Sequence, residues 1–93
     1  MFIRVTNLSY DPAEEAALLP LLHDVARAAR ALPGNRSYAQ GLHRATGRGT
    51  AVSTWDTAAQ AAGAREALGD LIDRVVATGV RFDGPGEVFD AVA

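Results

Sequence analysis

The sequence contains no cysteine and no lysine among its 93 residues. Without cysteine, disulfides, thiolate metal ligands and a cysteine nucleophile are excluded. The nine basic residues are all arginines, scattered from Arg4 to Arg81, and the formal net charge is −2. A protein that binds nucleic acid usually carries a concentrated basic surface. We therefore expect no nucleic-acid partner.

Long apolar runs are also absent, since no stretch approaches the roughly 18 residues that a membrane span requires. The first six residues alternate between apolar and polar, without the basic and apolar regions of a signal peptide. We expect a cytoplasmic protein with no membrane partner. The length predicts a single domain, residues 1–93, and a chain this short buries only about 60% of its unfolded surface. A partner subunit would therefore help to stabilise the core.

The alternation near the start predicts a strand over residues 2–8, whose side chains point to opposite faces in turn. One face carries Ile3, Val5 and Asn7, and the other carries Phe2, Arg4, Thr6 and Leu8. Because both faces include apolar residues, both faces need a cover.

A helix is predicted to begin at Asp11 and Pro12, a capping residue followed by a proline at the first helical position. Its apolar stripe continues to about Leu32, at steps of three and four residues. Pro20 lies inside this pattern, where it removes one backbone hydrogen bond. We expect a kink or a restart near Leu19.

Residues 36–44 and 50–55 predict an antiparallel hairpin around a glycine-containing turn at 46–49. Asp56 and Thr57 can cap an alanine-rich helix that runs to Leu68 and is broken at Gly69. A second helical piece over residues 70–78 is expected to end at Gly79. The last extended segment, residues 80–92, is interrupted at 84–86.

This order predicts an α+β fold, the ferredoxin-like βαββαβ arrangement, with a four-stranded antiparallel sheet and helices on one face. The other face is then uncovered, and Phe2 and Leu8 are expected on it. Pairing two sheets face to face would cover it, so we expect a homodimer.

Several segments together resemble a known family. They are residues 1–5 (MFIRV), 32–34 (LPG), the hairpin turn 46–49 (TGRG) and residues 53–57 (STWDT). Over essentially its whole length, the chain is similar to the dimeric α/β-barrel superfamily, and specifically to the antibiotic biosynthesis monooxygenase-like group. That resemblance implies a dimeric α/β barrel. It also implies an activity among those of the superfamily, which include cofactor-free oxygenation of aromatic quinol-type compounds and haem degradation.

The haem-degrading branch has a site that the sequence can test. It carries an Asn on the first strand, a Trp on the helix after the third strand and an axial His on the next helical segment. Asn7 stands at the first of these places, but residues 58–68 contain no Trp and residues 69–79 contain no His. We therefore expect neither haem nor any other cofactor.

The candidate ligand-binding residues are Asn7, Trp55, Tyr38 and His23. Asn7 could point into a pocket between sheet and helices, or it could bond nearby backbone at the strand end. Trp55 could stack on an aromatic ligand or simply pack the joint between sheet and helix. Tyr38 is a candidate acid–base phenol, although tyrosine is also common in strands for packing reasons.

His23 shares a helix face with Arg27 and Arg30, which favours a solvated side chain. His43, near the end of the hairpin, is similar, and neither histidine has a carboxylate or hydroxyl at a spacing that fixes a catalytic dyad. Two isolated histidines without clustered acids make a poor metal site, so no metal is predicted. The catalytic residues are not apparent from the sequence.

Two functions follow as hypotheses. The resemblance implies a cofactor-independent monooxygenase that acts on a small aromatic or polyketide-like compound in a pocket bounded by Asn7 and Trp55. The alternative is a non-catalytic dimeric module that binds a small apolar ligand or acts as a scaffold. The sequence offers no pair of groups that would identify an enzyme.

Overall fold

One antiparallel sheet and the helices packed on one side of it make up the computed structural model, which describes residues 1–93. The strands are β1 (Phe2–Ser9), β2 (Asn35–His43), β3 (Arg48–Trp55), β4 (Arg81–Phe82) and β5 (Glu87–Asp90). The helices are α1 (Glu15–Arg30), α2 (Ala58–Ala62) and α3 (Ala64–Ala77), and a short 3-10 turn, Pro12–Glu14, precedes α1. None of these helices has the length and hydrophobicity to span a bilayer.

The strand order is β2-β3-β1-β4, and β5 also pairs with β1. β4 pairs with Leu8 and Ser9, whereas β5 pairs with residues 2–5, so the two short strands occupy one position beside β1. The sheet therefore has four strand positions, and the predicted ferredoxin-like α+β fold is confirmed. The expected interruption of the last segment is the loop between β4 and β5.

Helix α1 is continuous through Pro20, so the helix does not restart near Leu19 as the sequence allowed. The irregular part lies earlier, where Asp11 caps the 3-10 turn through a hydrogen bond from the amide of Ala13. Pro20 and Ala16 are both exposed, so water can satisfy the Ala16 carbonyl that a proline leaves without a backbone donor.

The second helical region is divided more finely than the sequence predicts. Thr57 caps α2 and exchanges hydrogen bonds with Gln60, which confirms the predicted cap. Gly63 then ends α2 after a little more than one turn, a break that the sequence analysis missed. The predicted break at Gly69 is confirmed as a kink inside α3, with φ 27° and ψ −98°. Gly79 ends the region with φ 100°, as expected.

The sheet has an inner face, covered by the helices, and an outer face, which no element covers. The strand β1 directs Phe2, Arg4, Thr6 and Leu8 inward, where Arg4, Thr6 and Leu8 are buried. The expectation that Phe2 and Leu8 lie on the uncovered face is therefore wrong. The helices cover the face of β1 that carries the larger side chains. On that face, Leu8 packs against α1, α3 and the buried Tyr10.

The apolar side chains left on the outer face are Ile3, Val5, Val52 and Phe89. The strand register places Val5 opposite Val52 and Ile3 opposite Phe89, so the four lie together. Val52 is 39% exposed and Phe89 is 48% exposed. These four residues, called the outer apolar patch below, are the surface that a second subunit would have to cover.

The core has two parts. The larger packs Leu8, Leu18, Leu22, Val25 and Val75 between sheet, α1 and α3. The smaller surrounds Trp55 with Ala61 and Ala64, and Phe2, Leu32 and Val88 pack against it. A row of polar inward side chains lies between the two parts, and this row forms the candidate site.

Candidate functional site

The polar row crosses three strands on the inner face. Ser53 of β3 pairs with Arg4 of β1 on one side and with Tyr38 of β2 on the other. Neighbouring strands lie about 4.8 Å apart, so Tyr38 and Arg4 stand about 10 Å apart along the row. Trp55 follows Ser53 by two residues and therefore points to the same face.

A partly open cavity of about 60 Å³ lies over this row, beneath α1 and α3. Trp55, Leu22, Val25, Leu68, Ile72 and Val75 supply most of its apolar wall, while Arg4, Tyr38, Gln40 and Ser53 supply polar groups. A cavity of this size has room for a few waters. Ligand pockets generally measure about 300–1,000 Å³, so an aromatic ligand would need the wall to move.

Trp55 is fully buried, with 1% of its surface exposed. Its indole Nε1 donates a hydrogen bond to Ser53 Oγ at 2.8 Å. This bond satisfies the buried Ser53 and fixes the plane of the indole against the cavity. Trp55 is thus both a core residue and a cavity wall, the two roles that the sequence left open.

Tyr38 lies at the β2 end of the row, half-buried. Its hydroxyl accepts a hydrogen bond from Gln40 Nε2 at 3.0 Å, so its own proton is left for another acceptor. Burial raises the pKa of Tyr38, and the Gln40 hydrogen bond and the charges of Arg4 and Arg30 only partly offset this rise. The phenol is therefore neutral near pH 7, and it can donate a hydrogen bond but not act as a general base.

Arg4 lies at the β1 end of the row and is 8% exposed. Its Nη1 donates to the carbonyls of Ala61 at 2.8 Å and Ala62 at 3.2 Å, at the negative end of α2. Burial, and then the charge of Arg65, lower the pKa of Arg4, and Tyr38 acts in the opposite direction. An arginine nevertheless keeps its proton in proteins, so the site carries a positive charge.

The structure brings together two of the four predicted site residues, Trp55 and Tyr38. Asn7 lies exposed on the outer face, in an open polar groove with His43, Arg48 and Asp83. The expectation that Asn7 bounds the pocket between sheet and helices is therefore wrong, because Asn7 alternates with the inward Thr6 and Leu8. His23 is exposed on α1, beside a separate shallow groove that includes Gln40 and Arg44. Any ligand role of these two side chains stays a prediction.

Arg4, Ser53 and Arg65 were not predicted as site residues from the sequence. Arg4 did carry a signal, because its position on β1 places it on the same face as Phe2 and Leu8. An arginine between two large apolar residues on a buried strand face is rare, since burial of a charge is costly without compensating partners. No clustered His, Cys, Asp or Glu suited to a metal ion occurs in the chain.

Comparison with solved structures identifies proteins of the same fold. A proposed antibiotic biosynthesis monooxygenase from Deinococcus radiodurans matches with TM-score 0.77 and 23% identity, over 100% of this chain and 94% of its own. A second proposed member, from Nitrosomonas europaea, matches with TM-score 0.79 and 15% identity over 100% of both chains. SnoaB, a cofactor-independent oxygenase from Streptomyces nogalater, matches with TM-score 0.66 and 15% identity, over 99% of this chain and 93% of its own.

No protein-family model and no curated protein sequence matches the chain. The similarity covers the whole backbone. At identities of 15–23%, it does not identify a particular substrate. The chain therefore has the ferredoxin-like α+β fold of the antibiotic biosynthesis monooxygenase structures.

Proposed function

We propose that this chain, as one domain over residues 1–93, is a cofactor-independent monooxygenase of the antibiotic biosynthesis type that acts on a small aromatic compound. The observation that carries the proposal is the inner cavity, whose apolar wall includes Trp55 and whose polar groups include Tyr38 and Gln40. Pockets for small molecules combine an apolar lining with a few placed polar groups in this way. The fold shared with SnoaB supports the same reaction class.

In this proposal the substrate supplies all the electrons that reduce oxygen. A quinol and O2 give a hydroxyquinone and water: one ring C–H becomes C–OH, the two quinol hydroxyls become carbonyls, and the second oxygen atom leaves as water. The chain's own residues bind and orient the substrate. Trp55 presents its indole to the aromatic ring of the substrate. The Tyr38 hydroxyl, whose proton is not used within the chain, donates a hydrogen bond to a substrate oxygen.

A substrate enters only if the cavity expands. Leu68 and Ile72 line it from α3, on either side of the kinked Gly69. Apart from its chain neighbours and the adjacent helix backbone, no atom lies within 4 Å of the position that a Gly69 Cβ would take, so no packed neighbour holds the kink on that side. We propose that a change at this kink draws Leu68 and Ile72 apart and opens the cavity toward the size of a ring.

The alternative, a non-catalytic binding module, is supported by the chemistry of the cavity lining. No His, Asp or Glu lines the cavity, and its one phenol has a raised pKa. The lining therefore contains no group that could act as a general base near pH 7. On this reading the cavity binds the same class of aromatic ligand without turning it over.

We also propose that the chain works as a homodimer through the outer apolar patch. A patch of apolar side chains across adjacent strands is characteristic of an interaction surface, and a second copy offers the same patch in return. Pairing through this face leaves the inner cavity of each subunit beneath its own helices. A homodimer also suits a short chain with a thin core.

The two functions are separated by oxygen consumption in the presence of an aromatic quinol and isotopically heavy O2. A monooxygenase yields a hydroxyquinone with one heavy oxygen atom, whereas spontaneous oxidation yields the plain quinone and hydrogen peroxide. Tyr38→Phe should lower the rate about tenfold or more, the effect of losing one placed donor. Tyr10→Phe is the matched control, because Tyr10 bonds Glu15 and does not line the cavity.

Quinol binding without enzyme-dependent incorporation of heavy oxygen would favour the binding module. If the quinol neither binds nor reacts, the cavity is only a packing defect and both proposals fail.

A further inference from the structure

Arg4 has donors that neither the packing nor the proposed reaction uses. Its Nη1 serves the two carbonyls at the end of α2, but Nε and Nη2 make no hydrogen bond within the chain. No fully buried side-chain nitrogen or oxygen of the protein lacks a partner, so Nε and Nη2, which have none, are not completely closed off from solvent. One edge of a largely buried guanidinium is therefore open.

The loop between β4 and β5 holds this guanidinium in place. A Cβ built on Gly86 would lie 2.6 Å from Arg4 Cζ and 2.7 Å from both Nε and Nη2. Nearly equal distances put the glycine over the plane of the guanidinium rather than at its edge. Gly86 has no positive φ, so its backbone does not require glycine. What the missing side chain provides is the close approach to Arg4.

A second cation adjoins the first. Arg65 lines the same cavity, lies 4.2 Å from the centroid of the Phe82 ring and donates from Nη2 to the Gly84 carbonyl at 3.3 Å. Its charge is close enough to lower the pKa of Arg4. Two guanidinium groups thus face one small cavity.

No carboxylate of the chain balances this charge. The cavity lining contains no Asp or Glu. The three ion pairs of the chain join Arg27 to Asp24, Arg36 to Asp56 and Arg44 to Glu15, and all of them use other arginines. Like charges in a poorly solvated site destabilise each other, and an anion between them would relieve the repulsion.

We propose that the cavity recognises an aromatic carboxylate. The carboxylate accepts from Nε and Nη2 of Arg4, an edge suited to two parallel hydrogen bonds, and Arg65 adds the second positive charge. The aromatic body then lies along the wall that includes Trp55. This inference rests on the proposed function, because it assumes that the cavity is a ligand site. It specifies in addition that the ligand is negatively charged.

The test compares benzoate with benzamide, two probes of nearly the same shape that differ in charge. Quenching of Trp55, the only tryptophan of the chain, reports occupancy of the cavity, and calorimetry gives the affinity. The wild-type protein should bind benzoate about tenfold more tightly or better, in line with charge-assisted hydrogen bonds. Arg4→Met and Arg65→Met should remove most of this preference, because benzoate loses a charge-assisted partner whereas benzamide loses at most a weaker hydrogen bond.

Arg74→Met is the matched control, since Arg74 is exposed on α3, outside the cavity, and its loss changes the net charge equally. It should keep the full preference for benzoate. Gly86→Ala tests the same site without removing a charge, because the new methyl group must displace the Arg4 guanidinium. It should weaken benzoate and spare benzamide, and it decides the matter if Arg4→Met does not fold.

Equal affinity of the wild type for the two probes would overturn the carboxylate inference and leave the cavity as a site for neutral aromatics. If neither probe binds, the carboxylate inference fails, and the proposed function fails as well only if the aromatic quinol does not bind either. A preference for benzoate that survives in Arg4→Met, Arg65→Met and Gly86→Ala would mean that Arg4 only caps α2 and that the anion binds elsewhere.

Discussion

Replacement of Trp55 by alanine tests whether the smaller part of the core holds the sheet to α2. Trp55 is 1% exposed and packs against Ala61, Ala64 and Phe2. A buried tryptophan removes about 150–250 Å² from water, worth roughly 4–6 kcal/mol at 25 cal/mol per Å². That range overlaps the 3–5 kcal/mol generally observed for tryptophan-to-alanine changes. The variant also leaves the buried Ser53 hydroxyl without its indole partner.

A loss of about 3–5 kcal/mol is large for this chain. Domains of this size have about 5–14 kcal/mol of stability in total, so Trp55→Ala should remove roughly a fifth of it or more. The midpoint of thermal unfolding should fall by at least about 12 °C, at about 4–8 °C for each kcal/mol. Trp55→Phe, which keeps most of the ring, should lose only about 1–2 kcal/mol.

The assay is urea unfolding followed by far-ultraviolet circular dichroism, because the variant lacks the only tryptophan. All variants are compared at one protein concentration, since a dimer gains stability with concentration. Val76→Ala, at a side chain that is 46% exposed on α3, is the control and should change stability by less than about 0.5 kcal/mol.

Indole provides a second readout. Trp55→Ala should leave a hole of matching shape next to the cavity, and indole that binds there should raise the unfolding midpoint of this variant but not of the wild type. A loss below about 1 kcal/mol, together with no effect of indole, would refute the account of Trp55 as the anchor of this part of the core.

Three further predictions concern the dimer, the outer groove and pH. Val52→Asp places a charge in the outer apolar patch. Light scattering should report a 9.7 kDa monomer for this variant and twice that mass for the wild type. A variant that remains a dimer would exclude this face as the interface. Asn7→Ala should leave binding of aromatic quinols unchanged, because Asn7 faces away from the cavity, and weakened binding would contradict this placement. Burial raises the pKa of Tyr38 above its usual 10 in the folded protein. The stability that the neutral phenol contributes is therefore fully present below about pH 10. It is lost as the pH rises through the raised pKa. Urea unfolding at pH 9 and 11 should therefore show a smaller loss in Tyr38→Phe than in the wild type, and equal losses would refute the assignment.

Local signals predicted the elements and their ends well. Thr57 and Gln60 form a cap through contacts within one turn, and Gly69 and Gly79 adopt backbone angles that favour glycine. Such features depend on residues close in sequence, so the sequence alone can identify them. Two positions were exceptions. The end of α2 at Gly63 was not predicted. The helix also does not restart at Pro20, because the effect of a proline depends on whether the freed carbonyl meets water or a packed neighbour.

Which face of β1 the helices cover could not be read locally. Ile3 and Val5 on one side, and Phe2 and Leu8 on the other, both make a plausible buried face. The choice depends on how α1 and α3 pack across the sheet, a long-range property that strand periodicity does not contain. The error moved Asn7 into the cavity and Arg4 out of it, so a single wrong assignment changed the composition of the site.

The broken final strand has a consequence for how copies of this chain meet. β4 and β5 form one margin of the sheet in two short pieces, separated by a loop that contains Pro85. At the other margin, β2 carries a register irregularity between Asn35 and Ser37. Short, bulged or proline-containing margins are poor templates for the addition of a foreign strand. Strand-by-strand growth into fibrils is therefore disfavoured at both sides of the sheet. In the proposed homodimer, association uses the outer face instead, and an interface made by the same face of both subunits closes after two copies.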